Sequence, residues 1–339
     1  MSKSLSMTFY MWMCLVLSLF AIAPAQALDC RAASPGAEQW KNEGFPDQRG
    51  KFSVSFRAIP RGSDVLIGLS NGARSTWTGL AAIVRFHNNM IDVRNGGVYM
   101  SDTPTAYEFN ESVNVRMDVD TPRRRYSVFV SRTGQSEVQI ANDYAFRTEQ
   151  QAVTVLNNSV IEAEVGTLEA CMLTFKIREC DTATAGVAQW QNRALPSIDY
   201  GDYPVSVEFD ATPLGPPSQT VDALIGLSKG PQRTWSGLAA IARFSREGII
   251  DARNGDRYAH DWYASYSPGS PIHFRLDVDP FAHLYSVVIY NPGSINPIRI
   301  AHNYRFRTEQ QQVSPLNNVV TEAEVGGLQV CNAEVRYGY

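Results

Sequence analysis

Val113-Asn114-Val115-Arg116-Met117-Asp118-Val119-Asp120 places every apolar side chain on alternate positions and fills the others with Asn, Arg, Asp and Asp. Successive side chains of a strand point to opposite faces, so this period of two marks a strand with one face buried and one in water. Ile272-His273-Phe274-Arg275-Leu276-Asp277-Val278-Asp279 repeats the pattern with different apolar residues. Working outward, the same reading predicts strands at Phe52 to Phe56, Leu66 to Ser70, Ala82 to Phe86, Met90 to Arg94, Tyr126 to Val130, Val138 to Ala141 and Val160 to Val165. Asn-Gly at 95–96 and 254–255, with Pro122 and Pro280, supplies turn chemistry between strands. No segment above about ten residues carries a helical period. Many short strands at this spacing predict an all-β fold of two tandem antiparallel β-sandwich (jelly-roll) domains.

The duplication is read directly. Ile67-Gly68-Leu69-Ser70 returns as Ile225-Gly226-Leu227-Ser228, and Trp77-Thr78-Gly79-Leu80-Ala81-Ala82-Ile83 as Trp235-Ser236-Gly237-Leu238-Ala239-Ala240-Ile241. Ile91-Asp92-Val93-Arg94-Asn95-Gly96 matches Ile250-Asp251-Ala252-Arg253-Asn254-Gly255, and Phe146-Arg147-Thr148-Glu149-Gln150 matches Phe306-Arg307-Thr308-Glu309-Gln310. The offset drifts only from 158 to 160, so both copies share one architecture. The expected domains are 28–175 and 176–339. The segment Met172 to Glu179 between them alternates like a strand, which predicts two halves held close together.

Lys3 followed by the 13-residue apolar run Met11 to Ala23, with Ala25 and Ala27 beyond, reads as a signal peptide over residues 1–27. The run is shorter than the roughly 20 residues of a membrane helix, so no span is expected. Asp29 disfavours a lipid anchor on Cys30. Cleavage removes Cys14 and leaves an even set of four cysteines, Cys30, Cys171, Cys180 and Cys331, in an oxidising compartment. Cys30 and Cys180 open the copies and Cys171 and Cys331 close them, so the repeat selects Cys30–Cys171 and Cys180–Cys331. The mature chain, with 29 basic against 34 acidic residues, has no electrostatic footprint for nucleic acid or an anionic membrane. The basic cluster Arg123-Arg124-Arg125 has no counterpart in the second copy and reads as a solvated turn. A secreted monomer is expected.

The run Ile-Asp-Ala-Arg-Asn-Gly, then His-Phe-Arg-Leu-Asp-Val-Asp, Tyr-Ser-Val, Asn-Tyr-x-Phe-Arg-Thr-Glu-Gln and Leu-Asn-Asn, clearest from Ile250 to Asn318, resembles concanavalin A-like jelly-roll modules akin to laminin G-like domains. The resemblance covers most of both copies. It implies two-sheet sandwiches with a concave ligand face, and bound calcium in some members. Its motifs specify the module and not the activity, since lectins, adhesion modules, glucanases and polysaccharide lyases share it.

Asp92, Arg94, Arg116 and Asp118 recur as Asp251, Arg253, Arg275 and Asp277. If their strands are neighbours they form a mixed polar row suited to sugar hydroxyls; register-fixing ion pairs are the plainer reading. Trp77 and Trp235 could stack on a sugar ring, although packing in the core or under a loop is the preferred reading, and Trp40 and Trp190 are expected in the core. Trp262 and Tyr263, read with Tyr258 and Tyr266, form an aromatic loop of the second copy and its best exposed surface. Arg147 to Gln150 reads as a brace for a loop, and Asn157-Asn158 as turn residues. Glu162 and Glu164, mirrored by Glu322 and Glu324, are the best carboxylate candidates for glycoside hydrolysis, and the fuller glucanase pattern is absent. His87 and His273 give way to Ser245 and Asn114 in the other copy, so no histidine base is shared. Asp118/Asp120 and Asp277/Asp279 could join a calcium shell, whose remaining oxygens the sequence does not supply. The expectation is a non-catalytic protein recognising a polysaccharide or cell-surface glycan; the alternatives are a glycanase or lyase, or an adhesion module meeting other proteins.

Overall fold

The alternating stretches are strands: Val113–Asp120 buries its three valines and Met117, and Ile272–Asp279 buries Ile272, Phe274, Leu276 and Val278. The structure, a computed structural model, describes residues 30–338 apart from 200, 202–203, 217 and 292–295. The expected signal peptide lies outside the described residues. In chain order the first half contains β1 (Cys30–Ala33), β2 (Trp40–Gln48), β3 (Lys51–Pro60), β4 (Asp64–Ser70), β5 (Leu80–His87), β6 (Met90–Asn95), β7 (Val98–Ala106), β8 (Val113–Asp120), β9 (Arg125–Arg132), β10 (Val138–Ala145), β11 (Leu156–Val165) and β12 (Leu168–Ile177). The second half follows with β13 (Cys180–Thr184), β14 (Trp190–Ile198), β15 (Val205–Leu214), β16 (Asp222–Ser228), β17 (Leu238–Phe244), β18 (Ile250–Asn254), β19 (Arg257–Ala259), β20 (Ile272–Asp279), β21 (Leu284–Tyr290), β22 (Ile298–Arg305), β23 (Leu316–Val325) and β24 (Gly327–Tyr337). Helix among the described residues is confined to single 3-10 turns at Trp77–Gly79, Thr148–Gln150, Trp235–Gly237 and Thr308–Gln310, none long and apolar enough to cross a membrane.

The halves do not close separately. A single sheet runs β10-β9-β8-β3-β12-β24-β15-β20-β21-β22, with β1 and β13 added on β12 and β24, and two six-stranded sheets, β2-β11-β4-β5-β6-β7 and β14-β23-β16-β17-β18-β19, pack against it. The halves meet where Thr174, Phe175 and Lys176 pair with Arg336, Val335 and Glu334. Phe175 therefore faces its own repeat equivalent, and the pairs on either side exchange in the same way, as a local two-fold axis through the sheet requires. Phe175 lies 5.3 Å from Phe45 of β2, ring to ring, so it points into the first sandwich. Residues directly opposite on antiparallel strands share a face, so Val335 points to the same side, and both six-stranded sheets cover one face of the long sheet. Their edge strands β2 and β14 lie alongside each other. The expected boundary at 175/176 falls inside β12, on this axis.

Between the sheets, Phe52, Val54 and Phe56 of β3 and Phe209 and Phe274 of β15 and β20 are fully buried, each contributing about 1.5–3 kcal/mol of transfer free energy. Tyr126 of β9 reaches through this layer. Its hydroxyl accepts from the Ile83 backbone N–H at 3.2 Å and lies within hydrogen-bond reach of the Arg94 carbonyl. Tyr285 repeats this with Ile241 and Arg253. Burial pushes both phenol pKa values far up, so they stay neutral donors that tie one sheet to the other.

Cys30 lies directly opposite Cys171 on the β1/β12 ladder, and Cys180 opposite Cys331 on β13/β24. Both pairs are bridged, as the repeat predicted. Each bond fastens a short opening strand to the last strand of its half. Non-reducing peptide mapping should recover these two pairs, and a C180S/C331S double variant should lose up to about 4–5 kcal/mol, read as a lower urea midpoint. A Cys171–Cys180 peptide would contradict the ladder.

Candidate functional site

Register assembles a row across the outer face of the first six-stranded sheet. Glu162 of β11 stands between Trp40 of β2 and Leu66 of β4, Leu66 faces Arg85 of β5, and Arg85 faces Asp92 of β6. The neighbouring outward positions Leu80, Ile83 and Val160 join Leu66 in a small apolar floor, with Trp40 and Tyr99 packed against it. Gly68 keeps that floor flat: a Cβ there would come within 2.8 Å of the Leu80 side chain and 3.3 Å of the Ala82 carbonyl.

On this floor lies a groove of about 260 Å³ walled by Trp77, Tyr99, Arg85, Arg94 and Arg147, with Asp64 and Glu164 at its rim. The Arg85 guanidinium forks onto the Asp92 carboxylate at 3.0 and 2.7 Å and lies 3.8 Å from the centre of the Tyr99 ring. Arg94 approaches the same ring at 4.9 Å while its Nε donates to the Gly96 carbonyl at 3.0 Å. Burial raises the Tyr99 pKa against the pull of these cations, so the ring is a neutral platform. Trp77 is 41% exposed, and its indole hydrogen-bonds the Glu162 carboxyl. Glu162 is only 1% exposed and also accepts from Gln39 Nε2 at 2.7 Å, while burial pushes its pKa up. The Trp77 turn is tied to the Arg147–Gln150 turn by Gln150 Nε2 donating to the Thr78 carbonyl at 2.6 Å and by the Arg147 N–H donating to Ala81 at 2.8 Å.

The second half rebuilds the arrangement. Trp190, Glu322, Leu224, Arg243 and Asp251 form the row. Arg243 forks onto Asp251 at 3.0 and 2.6 Å and lies 3.7 Å from the Tyr258 ring, with Arg253 at 5.1 Å. Trp235, 45% exposed, hydrogen-bonds Glu322, which Gln189 also holds at 2.7 Å.

The four recurring polar residues do not form one row. Asp92 and Arg94 lie on β6 of a six-stranded sheet, whereas Arg116 and Asp118 lie on β8 of the long sheet. Arg116 is paired with Asp118 and with Glu137 at 2.7 Å, and Asp118 also accepts from Ser53 at 2.7 Å and meets Arg178 at 3.0 Å. Arg275 and Asp277 pair at 2.6 Å on β20. Arg116–Asp118 and Arg275–Asp277 thus pair along their own strands, and the Ser53 and Arg178 contacts tie Asp118 to its neighbours. Asp120 is likewise taken by Lys51 at 3.5 Å and by the Arg123 N–H at 3.1 Å, so the Asp118/Asp120 pair does not fit a shell of six to eight oxygens around calcium. Among the described residues one group of three potential metal ligands occurs, Cys30, Glu169 and Cys171, and its two sulfurs are bonded to each other. The Arg123–Arg125 turn is braced on Asp143.

Trp77 and Trp235 stand at the grooves and not in the core, and Trp40 and Trp190 flank them with ring centres 6.3 and 6.4 Å away. The core assignment failed because these tryptophans face outward, onto the small apolar floors. Tyr258 and Tyr266 are not specific to the second copy: they match Tyr99 and Tyr107 and take the same places against Arg243 and Phe244. Trp262 and Tyr263 alone of that group are freely exposed, at 68% and 67%. Arg85, Arg243, Tyr99, Gln39 and Gln189 escaped the sequence reading. A charge preserved inside an apolar repeat, as Arg85 and Arg243 are, was the available signal.

No family model matches the chain. A stretch of 116 residues, 32% of the chain, is 28% identical to a gellan lyase of a Bacillus species and spans 5% of that protein's length. Similar solved structures include the winged bean acidic lectin (TM-score 0.30, 9% identity, 47% of this chain and 99% of the lectin). Domains LG4-5 of the mouse laminin alpha1 chain are also similar (TM-score 0.24, 10% identity, 94% and 96% of the two chains).

Because burial raises the pKa of Glu162 and Glu322, the folded chain holds protons that the unfolded chain has released above about pH 4. Stability from these sites is present below the unfolded pKa and falls as pH rises through the folded one. An E162Q/E322Q variant should therefore gain melting temperature over the parent as pH increases from about 4 to 7. A constant difference across that range would show that the carboxyls are ionised throughout.

Proposed function

We propose that this is a secreted, non-catalytic carbohydrate-binding protein that recognises a polysaccharide or cell-surface glycan through the outer groove of each six-stranded sheet. The observation that carries the reading is the repeated pairing of a half-exposed tryptophan, held by a buried carboxyl, with a tyrosine stacked against arginines. A flat aromatic face takes the C–H face of a sugar ring, and planar guanidinium and carboxylate groups take its hydroxyls. Four cysteines in two disulfides support an oxidising, extracytoplasmic location. The matched gellan lyase, a protein named for action on gellan, agrees with a carbohydrate ligand.

The groove chemistry favours binding over cleavage. Glu162 is covered by Trp77 and Gln39, so it does not reach a substrate as half of a carboxylate pair. Tyr99, whose pKa is raised, is a poor general base at neutral pH. A single chain already carries two grooves on one side, so it gains avidity on a polymer without assembling further.

Affinity electrophoresis across neutral and acidic polysaccharides, with and without calcium, should show retardation. W77A and W235A should each weaken it about tenfold, the equivalent of about 1.4 kcal/mol, and the double variant far more. A blank screen, release of reducing ends or unsaturated products, or retardation unchanged in the double variant would overturn the reading.

A further inference from the structure

The two grooves point in opposite senses. In the first half the row begins beside the seam between the halves, where Trp77 packs against Trp40 of β2 with ring centres 6.3 Å apart, and it ends at Tyr99 on the outermost strand, β7. In the second half it begins at Trp235 against Trp190 of β14, 6.4 Å apart, and ends at Tyr258 on β19. Each groove therefore has its tryptophan end toward the seam and its tyrosine end away from it. The ends differ in chemistry: an indole bonded to a buried carboxyl at one, a phenol flanked by two guanidinium groups at the other. A glycan chain has a reducing and a non-reducing end, so a groove with unlike ends takes it in one direction.

The grooves are also out of line. Phe45 packs on Phe175 at the two-fold axis, 5.3 Å ring to ring, and Leu195 is the repeat equivalent of Phe45. At this level the crevice between β2 and β14 is lined by Glu43, Gly44 and Phe45 of one strand and by Pro196 and Ser197 of the other, so the strands pass each other here. Trp40 and Trp190 stand five residues before Phe45 and Leu195, and hence on opposite sides of the axis. At about 3.3 Å per strand residue, the two rows are offset by roughly 30 Å along the strands. Across the strands, β4, β11, β2, β14, β23 and β16 lie between β5 and β17, which at about 4.8 Å a step again separates the grooves by roughly 30 Å. A straight chain laid along either direction meets one groove and misses the other.

We infer that each molecule joins two separate glycan chains, held side by side and running in opposite directions, and so cross-links its polysaccharide. The inference rests on the carbohydrate-binding reading above. To fill both grooves, one chain would have to leave the first, move sideways by roughly 30 Å and reverse its direction. The effective concentration at the second groove falls toward zero when a connection cannot make such a span. The seam holds the geometry: Phe175 and Val335 pair there, both fully buried, and no linker lets one groove swing into line with the other.

The test is turbidity and titration calorimetry with galactomannan, arabinoxylan, hyaluronan and chondroitin sulfate, each as the polymer and as oligomers too short to turn back on themselves. A polymer that binds should precipitate with the protein, most strongly at an intermediate ratio, and an excess of its own oligomer should dissolve the precipitate. The oligomer should bind at two per protein. W77A and W235A should each take one oligomer per protein, and neither variant, alone or mixed with the other, should precipitate the polymer. Binding without precipitation, at one oligomer per protein and with an affinity that climbs about tenfold or more once the oligomer is long enough to reach both grooves, would overturn cross-linking while leaving carbohydrate binding intact. Precipitation by W77A or W235A equal to that of the parent would do the same. Failure of all four polysaccharides to bind would overturn both readings.

Discussion

The structure hangs on three residue pairs, Thr174–Arg336, Phe175–Val335 and Lys176–Glu334. They turn two sandwiches into one body by making the inner sheet continuous, and they place Phe175 opposite its own repeat equivalent. From that single contact follow the local two-fold axis, the common side on which both six-stranded sheets lie, and the short passage from β12 to β13 without a linker. The disulfides act at the same seam, since β1 and β13 extend the edges of β12 and β24. A two-fold relation also sets the two grooves in opposite senses. A polymer with chemical direction would engage them with two chains, or with two segments of a chain that turns.

Within each half, burial decides which surface is left for chemistry. The inward positions of β4, β5, β6 and β11 are filled by residues such as Val65, Ile67, Phe86, Val93 and Ile161, so their outward partners are committed to the opposite face by the pleat. That face carries a carboxyl under a tryptophan and a tyrosine against arginines. The outer face of the long sheet carries charges too, but they answer one another: Arg116, Asp118, Arg178 and Glu137 are joined in one network. Two polar surfaces that look alike in composition therefore differ in what they offer a ligand.

Alternation in Val113–Asp120 made the strand class legible, and repetition made the cysteine pairing legible, because both are properties of local sequence or of the offset between copies. The groove was not legible for a topological reason. Its row runs β2-β11-β4-β5-β6, bringing Trp40 next to Glu162 and Glu162 next to Leu66 although long stretches of chain separate them. Nothing in the spacing of Asp92 and Arg116 says that their strands belong to different sheets. Trp77 reads as core because the apolar run Leu80-Ala81-Ala82-Ile83 follows it in sequence; Leu80 and Ile83 of that run are the floor of an outward-facing site. Glu162 and Glu164 were grouped as a carboxylate pair, yet one is buried under an indole and the other is open at the rim, a difference that only packing creates.

The central claim is that ligand sits on the outer faces of the six-stranded sheets. Hydroxyl-radical footprinting of the intact chain, with and without a polysaccharide that retards it in affinity gels, reads this directly. The account predicts loss of oxidation at Trp77 and Trp235 with Trp262 unchanged, and likewise Phe129 and Tyr290, which stand opposite Arg116 and His273 on the outer face of the long sheet; protection of Phe129 and Tyr290, or of Trp262 alone, would contradict it.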